Sequence, residues 1–279
     1  MDNKCNICQS EQIKQLGIIS LYSIEGDYET PVLMCKKCGV IYRDFDYSDD
    51  KIKNHFCIAS YTDLNKEQYW KSKREGFFGQ IVKLSFDYVE LTKATNVLDF
   101  GCSYGHLLEE YKQFGCNCFG VELDNKLHKV IKPKFHNVYE DLKEISLDIK
   151  FDIINLIDSL YYVEDPVTLL NDLRHRLISK GIIIIRITNR AFLLKLLYKV
   201  SPSIVNSDIF GDGKYNFSEK SMGIMMEKAG FKVSRIIINE KGKIINGIKK
   251  KIIYNVSLLT SNFLRIKITP GLIYVVRKT

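Results

Sequence analysis

The chain has 279 residues, 46% of them apolar and 27% charged, which suits one large soluble domain with an appendage or two modest domains. No apolar run approaches the ~18–20 residues that span a bilayer, and the opening MDNKCNICQS is too polar for a secretory leader, so a cytoplasmic location is expected. The net charge of +8 is local: nine Lys or Arg and no Asp or Glu follow from Lys241 onward, which argues against a uniformly basic nucleic-acid binder.

Residues 1–50 carry two Cys-x-x-Cys pairs, Cys5/Cys8 and Cys35/Cys38, joined by a strand-rich stretch. Paired thiolates at this spacing read as metal ligands rather than disulfides, and four of them predict a structural, tetrahedral zinc site with no open position for water. Gly39 suits the tight turn behind the second pair. This ribbon is expected to have a core of its own. Cys57, Cys102, Cys116 and Cys118 are scattered.

Residues 51–90 predict a helical linker or lid. Tyr69, Trp70, Phe77, Phe78, Ile81, Leu84, Tyr88 and Val89 recur at helical spacing and read as packing residues.

From residue 91 to 279 strands and helices alternate. NVLDF predicts a strand, Tyr104–Phe114 a helix closed by Gly115, and CNCFGVEL the next strand. A helix over Asn125–Lys132 stops before Pro133, HNVY is a short strand, and FDIINLID is a longer one. Asp165 caps a helix with Pro166 at its first position, burying Val167, Leu170, Leu173 and Leu177. Gly181 is expected to break the chain before IIIIRIT, a run apolar enough for a strand buried on both faces. Phe217, Ser218 and Met222 form a staple and cap for a helix ending at Ala229-Gly230. FKVSRIII and LIYVVRK are the last strands, separated by a basic, apolar insertion at 241–269. The alternation predicts an α/β fold, a doubly wound parallel sheet covered by helices.

Ligands of such sheets lie outside the strand carboxyl ends. Gly101 and Gly105 open the turn after NVLDF, and Glu122 at the tip of the following strand is placed for ribose hydroxyls. Ser103 stands where a dinucleotide fingerprint needs glycine, and Asp99 would repel a pyrophosphate. A cofactor with an amino group, a sulfonium and a ribose fits better than NAD.

VLDFGCSYG is similar to the first motif of class I S-adenosylmethionine (SAM) methyltransferases, with Ser103 replacing one glycine. GVELD resembles their acidic second motif, the stretch from Phe151 to Asn189 their fourth and fifth strands, and YNFSEKSMGIMMEKAGF their later helix. The cysteine pairs resemble the zinc ribbon on a subset of these enzymes, including ones that modify sugars and surface-glycan precursors. The resemblance implies a Rossmann-like methyltransferase sheet, SAM as cofactor and structural zinc. It places Asp99 and Gly101 at the SAM amino-acid end, Gly105 at a close approach and Glu122 on the ribose. Leu123 would flank the adenine, Asp141 and Leu142 would meet its amino edge, and Ile157-Asp158 would line the floor beneath the methyl group. Relatives carry Glu-His where this chain has Tyr161-Tyr162, so Tyr162 and Asp158 are the candidate bases.

The acceptor this implies is a small molecule, a nucleotide sugar or glycan precursor of polysaccharide biosynthesis. Two rivals stand beside it. One is an RNA methyltransferase gripping phosphates with the ribbon and the basic insertion. The other is a non-catalytic zinc-ribbon binding protein, motivated by Ser103 and the missing Glu-His. The insertion equally suits a lid or an anionic membrane surface. His106 alone among the five histidines sits beside the cofactor turn.

Overall fold

The computed structural model describes residues 4–23, 26–45, 67–74, 76–211, 213–238 and 271–279. The insertion 241–269, the part of the linker from 51 to 66, and Cys57 lie outside the described residues.

Among the described residues the strands form two sheets. The larger contains β4 (Asn96–Phe100), β5 (Asn117–Val121), β6 (Val138–Tyr139), β7 (Phe151–Ile157), β8 (Leu177–Thr188), β10 (Phe231–Ile237) and β11 (Gly271–Lys278). Its spatial order is β10-β11-β8-β7-β4-β5-β6. The strands run parallel except β11, which is antiparallel to both β8 and β10. The doubly wound parallel sheet expected from the sequence is present, with one reversed strand, β11, between β8 and β10. The order reverses between β4 and β7, where such sheets hold ligands.

Strand alternation builds the core. Ile183, Ile185 and Ile187 of β8 point into one apolar cluster, Ile182 and Ile184 into the other, across the sheet. Strands β7 and β11 divide the same way, with Ile154 and Leu156 opposite Ile153 and Ile157, and Leu272, Tyr274 and Val276 opposite Ile273 and Val275. Helices cover both faces, so a run of four isoleucines is buried throughout. Gly181 does not break the chain. It lies inside β8, where a Cβ would meet Leu177 Cδ1 at 2.8 Å and the Asp152 carbonyl oxygen at 2.9 Å. The glycine lets the strand bulge against β7, whose register shifts between Phe151 and Ile153.

The helices in chain order are α1 (Glu67–Arg74), α2 (Phe77–Phe86), α3 (His106–Lys112), α4 (Asn125–Ile131), α5 (Pro166–Arg176), α6 (Ala191–Val200), α7 (Ser207–Phe210) and α8 (Glu219–Lys228). Helix α3 starts two residues later than its apolar pattern suggests, because Gly105 at φ 79° ends a turn that returns its N–H to the Cys102 carbonyl at 2.8 Å. Asp165 caps α5 through the N–H groups of Val167 and Thr168, and Ser218 caps α8 in a reciprocal box with Ser221. On α5 the buried residues include Leu169, Leu170, Leu173 and Arg176, while Val167 is only partly covered.

The smaller sheet holds β1 (Ile13–Ser23), β2 (Gly26–Cys35), β3 (Ile41–Arg43) and β9 (Tyr215–Asn216) in that order. Its fourth strand comes from the far side of the sequence, so the ribbon is sewn into the α/β domain. Cys5, Ile7, Cys35, Cys38 and Val40 share one apolar cluster with Leu98, Ile185, Phe217 and Met222. The Ser218 hydroxyl donates to the Cys38 carbonyl at 2.6 Å, and the Lys214 ammonium donates to the Phe45 carbonyl at 2.9 Å. Arg43 is wholly buried, its guanidinium 4.6 Å over the Phe210 ring. The expectation of a separate ribbon core is corrected by this packing. Val205, Phe210, Tyr215 and Phe217 pack against the apolar face of its three strands, which is thereby buried with the main domain.

Candidate cofactor cleft and four-cysteine centre

The turn after β4 is laced to β5. The N–H groups of Gly101 and Cys102 donate to the Val121 carbonyl at 2.8 and 3.1 Å. Gly101 has φ 80°, and a Cβ there would stand 2.7 Å from Ser159 Cβ. Ser103 takes a left-handed φ of 50° and donates its N–H to one oxygen of Glu122 at 2.7 Å; the Asp124 N–H reaches the other at 3.0 Å. A cavity of about 630 Å³ opens over this turn, within the usual range for small-ligand sites.

Asp99, Gly101, Glu122, Leu123, Ile157, Asp158 and Tyr162 all line that cavity. Three other sequence candidates do not. Gly105 faces α4 instead, where a Cβ would meet Ile131 Cδ1 at 2.7 Å. Asp141 caps a short 3-10 turn, accepting from the Lys143 N–H at 2.9 Å while Glu144 answers in a capping box. Leu142 is buried in the core beside it. The Asp-x-x-Glu spacing in DLKE is itself the signature of that cap.

Burial dominates the electrostatics. Asp99 is 4% exposed, and desolvation, reinforced by the Glu122 charge and opposed by Arg74, pushes its pKa up to about 7. Burial also raises Glu122, against the two backbone N–H groups that favour its charge. His106 lines the cavity, with Nε2 3.6 Å from a Glu67 oxygen; burial lowers its pKa, so the pair is an imidazole beside a carboxylate rather than an ion pair.

On the facing wall, Asp158 has φ 60° and its carboxylate is held by the Arg186 guanidinium, with Arg74 Nη2 3.8 Å from its other oxygen. Arg74 therefore ties α1 over the cavity. Tyr162 sits in a 3-10 turn with its ring 4.7 Å from that of Tyr161.

The four cysteines of the ribbon converge. Their sulfurs lie within 4.8 Å of one another, Cys5 to Cys38 at 3.7 Å and Cys8 to Cys35 at 3.4 Å, all buried. Each knuckle closes identically: Gln9 and Gly39 take left-handed φ angles of 60° and 75° and return their N–H to Cys5 and Cys35 at 2.8 Å. Zinc–sulfur bonds of ~2.3 Å in a tetrahedron put sulfurs about 3.8 Å apart, so the set fits a zinc ion that the four thiolates would close off from water.

A family profile described as a methyltransferase domain matches residues 69–236. The chain belongs to this methyltransferase family. Solved structures share the fold. An S-adenosylmethionine-dependent methyltransferase from Clostridium acetobutylicum aligns at TM-score 0.52 and 14% identity, over 80% of this chain and 99% of that one. A putative S-adenosylmethionine-dependent methyltransferase from Listeria monocytogenes gives 0.53 and 15%, over 73% and 98%. Magnesium protoporphyrin IX methyltransferase from Synechocystis, with bound S-adenosylhomocysteine, gives 0.53 and 15%, over 80% and 99%. No curated protein matches.

The cleft of this class I methyltransferase fits SAM by its donor set. Two buried carboxylates, Asp99 and Glu122, call for a cation and for hydroxyl donors, which SAM carries as its ammonium, sulfonium and ribose. The Ser159 hydroxyl, buried at the cavity wall, makes no hydrogen bond within the described residues.

Sequence reasoning missed several residues of the methyltransferase site. Trp70 and Phe78 line the cavity although their helical spacing reads as packing, and Arg74 between them lines it too. Arg186 carried a legible signal, a cation inside the apolar run IIIIRIT, and buried charges are paired.

Proposed function

We propose that this methyltransferase transfers the SAM methyl group to a small-molecule acceptor, a nucleotide sugar or surface-glycan precursor. The observation that carries the cofactor half is the pair of buried carboxylates at the tips of neighbouring strands, Asp99 and Glu122, opening onto one cavity. In this reading Asp99 and the Gly101 backbone hold the ammonium end, Glu122 takes the ribose, and Leu123 and Ile157 flank the nucleoside.

SAM, when bound, supplies an electrophilic methyl on a sulfonium. The chain's own work is then mainly positioning, which can contribute roughly 7–11 kcal/mol to such a reaction. The rings of Trp70, Tyr161 and Tyr162 offer flat apolar walls suited to a sugar or a base, and Arg74 brings a cation for phosphate oxygens. Asp158 is committed to Arg186 and Arg74, so its proposed part is to fix α1 over the cavity floor. Tyr162 is left as the candidate to orient or take the proton of an acceptor hydroxyl. The RNA reading asks the ribbon to grip phosphates, yet the ribbon cysteines are buried in the shared core. Incubating the enzyme with labelled SAM and a panel of nucleotide sugars, glycan precursors and RNA tests both. Label in a sugar fraction is expected; label in RNA alone overturns the sugar reading.

A further inference from the structure

We infer that the outer face of α6 docks the protein onto an anionic membrane surface. Helix α6 is amphipathic in an unusual sense, because it has two apolar sides. Ala191, Leu194 and Tyr198 face inward, and the last two pack with Ile19, Val32 and Ile41 of the small sheet. Phe192, Leu193, Leu196 and Val200 face outward, with 50%, 48%, 50% and 73% of their surface exposed. At ~3.6 residues per turn these four fall within about 100° of arc, opposite the buried side. Ile204, in the 3-10 turn that follows, is 49% exposed and extends the apolar area.

Charge complementarity selects the occupant. Lys195 and Lys199 are exposed and lie along one flank of the outer arc. No Asp or Glu occurs between Ala191 and Ser207. An apolar arc with Lys195 and Lys199 along its flank and no acidic residue on the helix itself is the pattern of a helix lying in a lipid interface, with acyl chains under the apolar residues and anionic headgroups at the lysines. The ammonium groups can reach the headgroups while their stems cover apolar surface.

Flotation of the full chain with vesicles tests this, using phosphatidylcholine alone or phosphatidylcholine with phosphatidylglycerol. Co-flotation is expected with the anionic vesicles only, and to weaken with salt. Phe192→Ser/Leu196→Ser and Lys195→Glu/Lys199→Glu should each lower the bound fraction by roughly tenfold or more. Both variants change solvent-facing residues, so circular dichroism and thermal unfolding should match the wild type and show that each remains folded. Wild-type protein that stays unbound at low salt overturns the inference, as do variants that float like the wild type. Sedimentation showing that the wild type pairs with itself, through a contact that Phe192→Ser/Leu196→Ser removes, would reassign the face to a second copy. None of these readouts depends on SAM or an acceptor.

Discussion

Ser103 donates its backbone N–H to the Glu122 carboxylate at 2.7 Å, from a left-handed conformation that L-residues pay to adopt. One side chain at the tip of β5 thus holds the cofactor turn after β4, and it does so against a strained residue. Glu122→Ala should weaken SAM binding by about 1.5–3 kcal/mol, roughly ten- to hundredfold, as expected for loss of a charge-assisted contact. Calorimetry on the folded variant measures this; unchanged affinity removes Glu122 from the site. Ser103→Gly should keep SAM affinity and raise the melting temperature, whereas Ser103→Val should lower stability by about 1–2 kcal/mol in urea titrations.

If Asp99 holds the SAM ammonium as proposed, SAM binding should depend on pH. Its folded pKa of about 7 lies above the ordinary 3.8, so between these values the native state keeps a proton that the unfolded chain has released. The group's contribution to stability is therefore fullest at low pH and declines as pH rises toward 7. A bound ammonium needs the ionised carboxylate, so SAM affinity should rise as pH climbs toward about 7, below the range near ~8 where the ligand's own α-amino group loses its proton. Thermal shifts induced by SAM at about pH 5.5 and about pH 7 give the comparison, and Asp99→Asn should flatten it. A wild-type response that is already flat would place the ammonium elsewhere.

Zinc should be present at one per chain and should stabilise the whole protein. The cysteines share a core with Leu98, Phe217 and Met222, so chelation should lower a single cooperative melting transition rather than melt a separate ribbon. For the same reason, removing residues 1–45 should give an aggregating protein rather than a working core. Two resolved transitions in calorimetry, or a soluble truncated protein of native stability, would contradict the shared core.

Asp158→Ala should cost roughly 3–5 kcal/mol in denaturant unfolding, because it takes the carboxylate partner from the buried Arg186 guanidinium. The double change Asp158→Ala/Arg186→Met should recover much of that loss, since an apolar pair leaves no buried charge. If the single change is neutral, Arg186 is held by other groups and Asp158 is free for chemistry.

Elements with a strong local period were legible from the sequence. The isoleucines of β8 announce a strand buried on both faces, Asp165-Pro166 and Ser218 announce helix starts, and the spacing of Cys5, Cys8, Cys35 and Cys38 announces that the four thiols converge. Their causes are local: side-chain periodicity, an orphan N–H at a helix start, and the reach of a two-residue turn. The Asp99–Gly101–Glu122 arrangement was legible too, because strand, turn and strand lie within 27 residues of chain.

What only the tertiary structure decided joins residues far apart. Asp141 and Leu142 fell outside the cavity because a local capping box claimed Asp141 and the core claimed Leu142. Trp70 and Arg74 entered the site because Asp158, more than eighty residues later, anchors their helix over it. The ribbon lost its independence because β9 completes its sheet. A sequence displays which residues want burial or a partner, and local rules find partners a turn or a strand away. Which distant surface supplies the rest is set by chain packing, where many small contacts add up, and no short stretch of the sequence carries that sum.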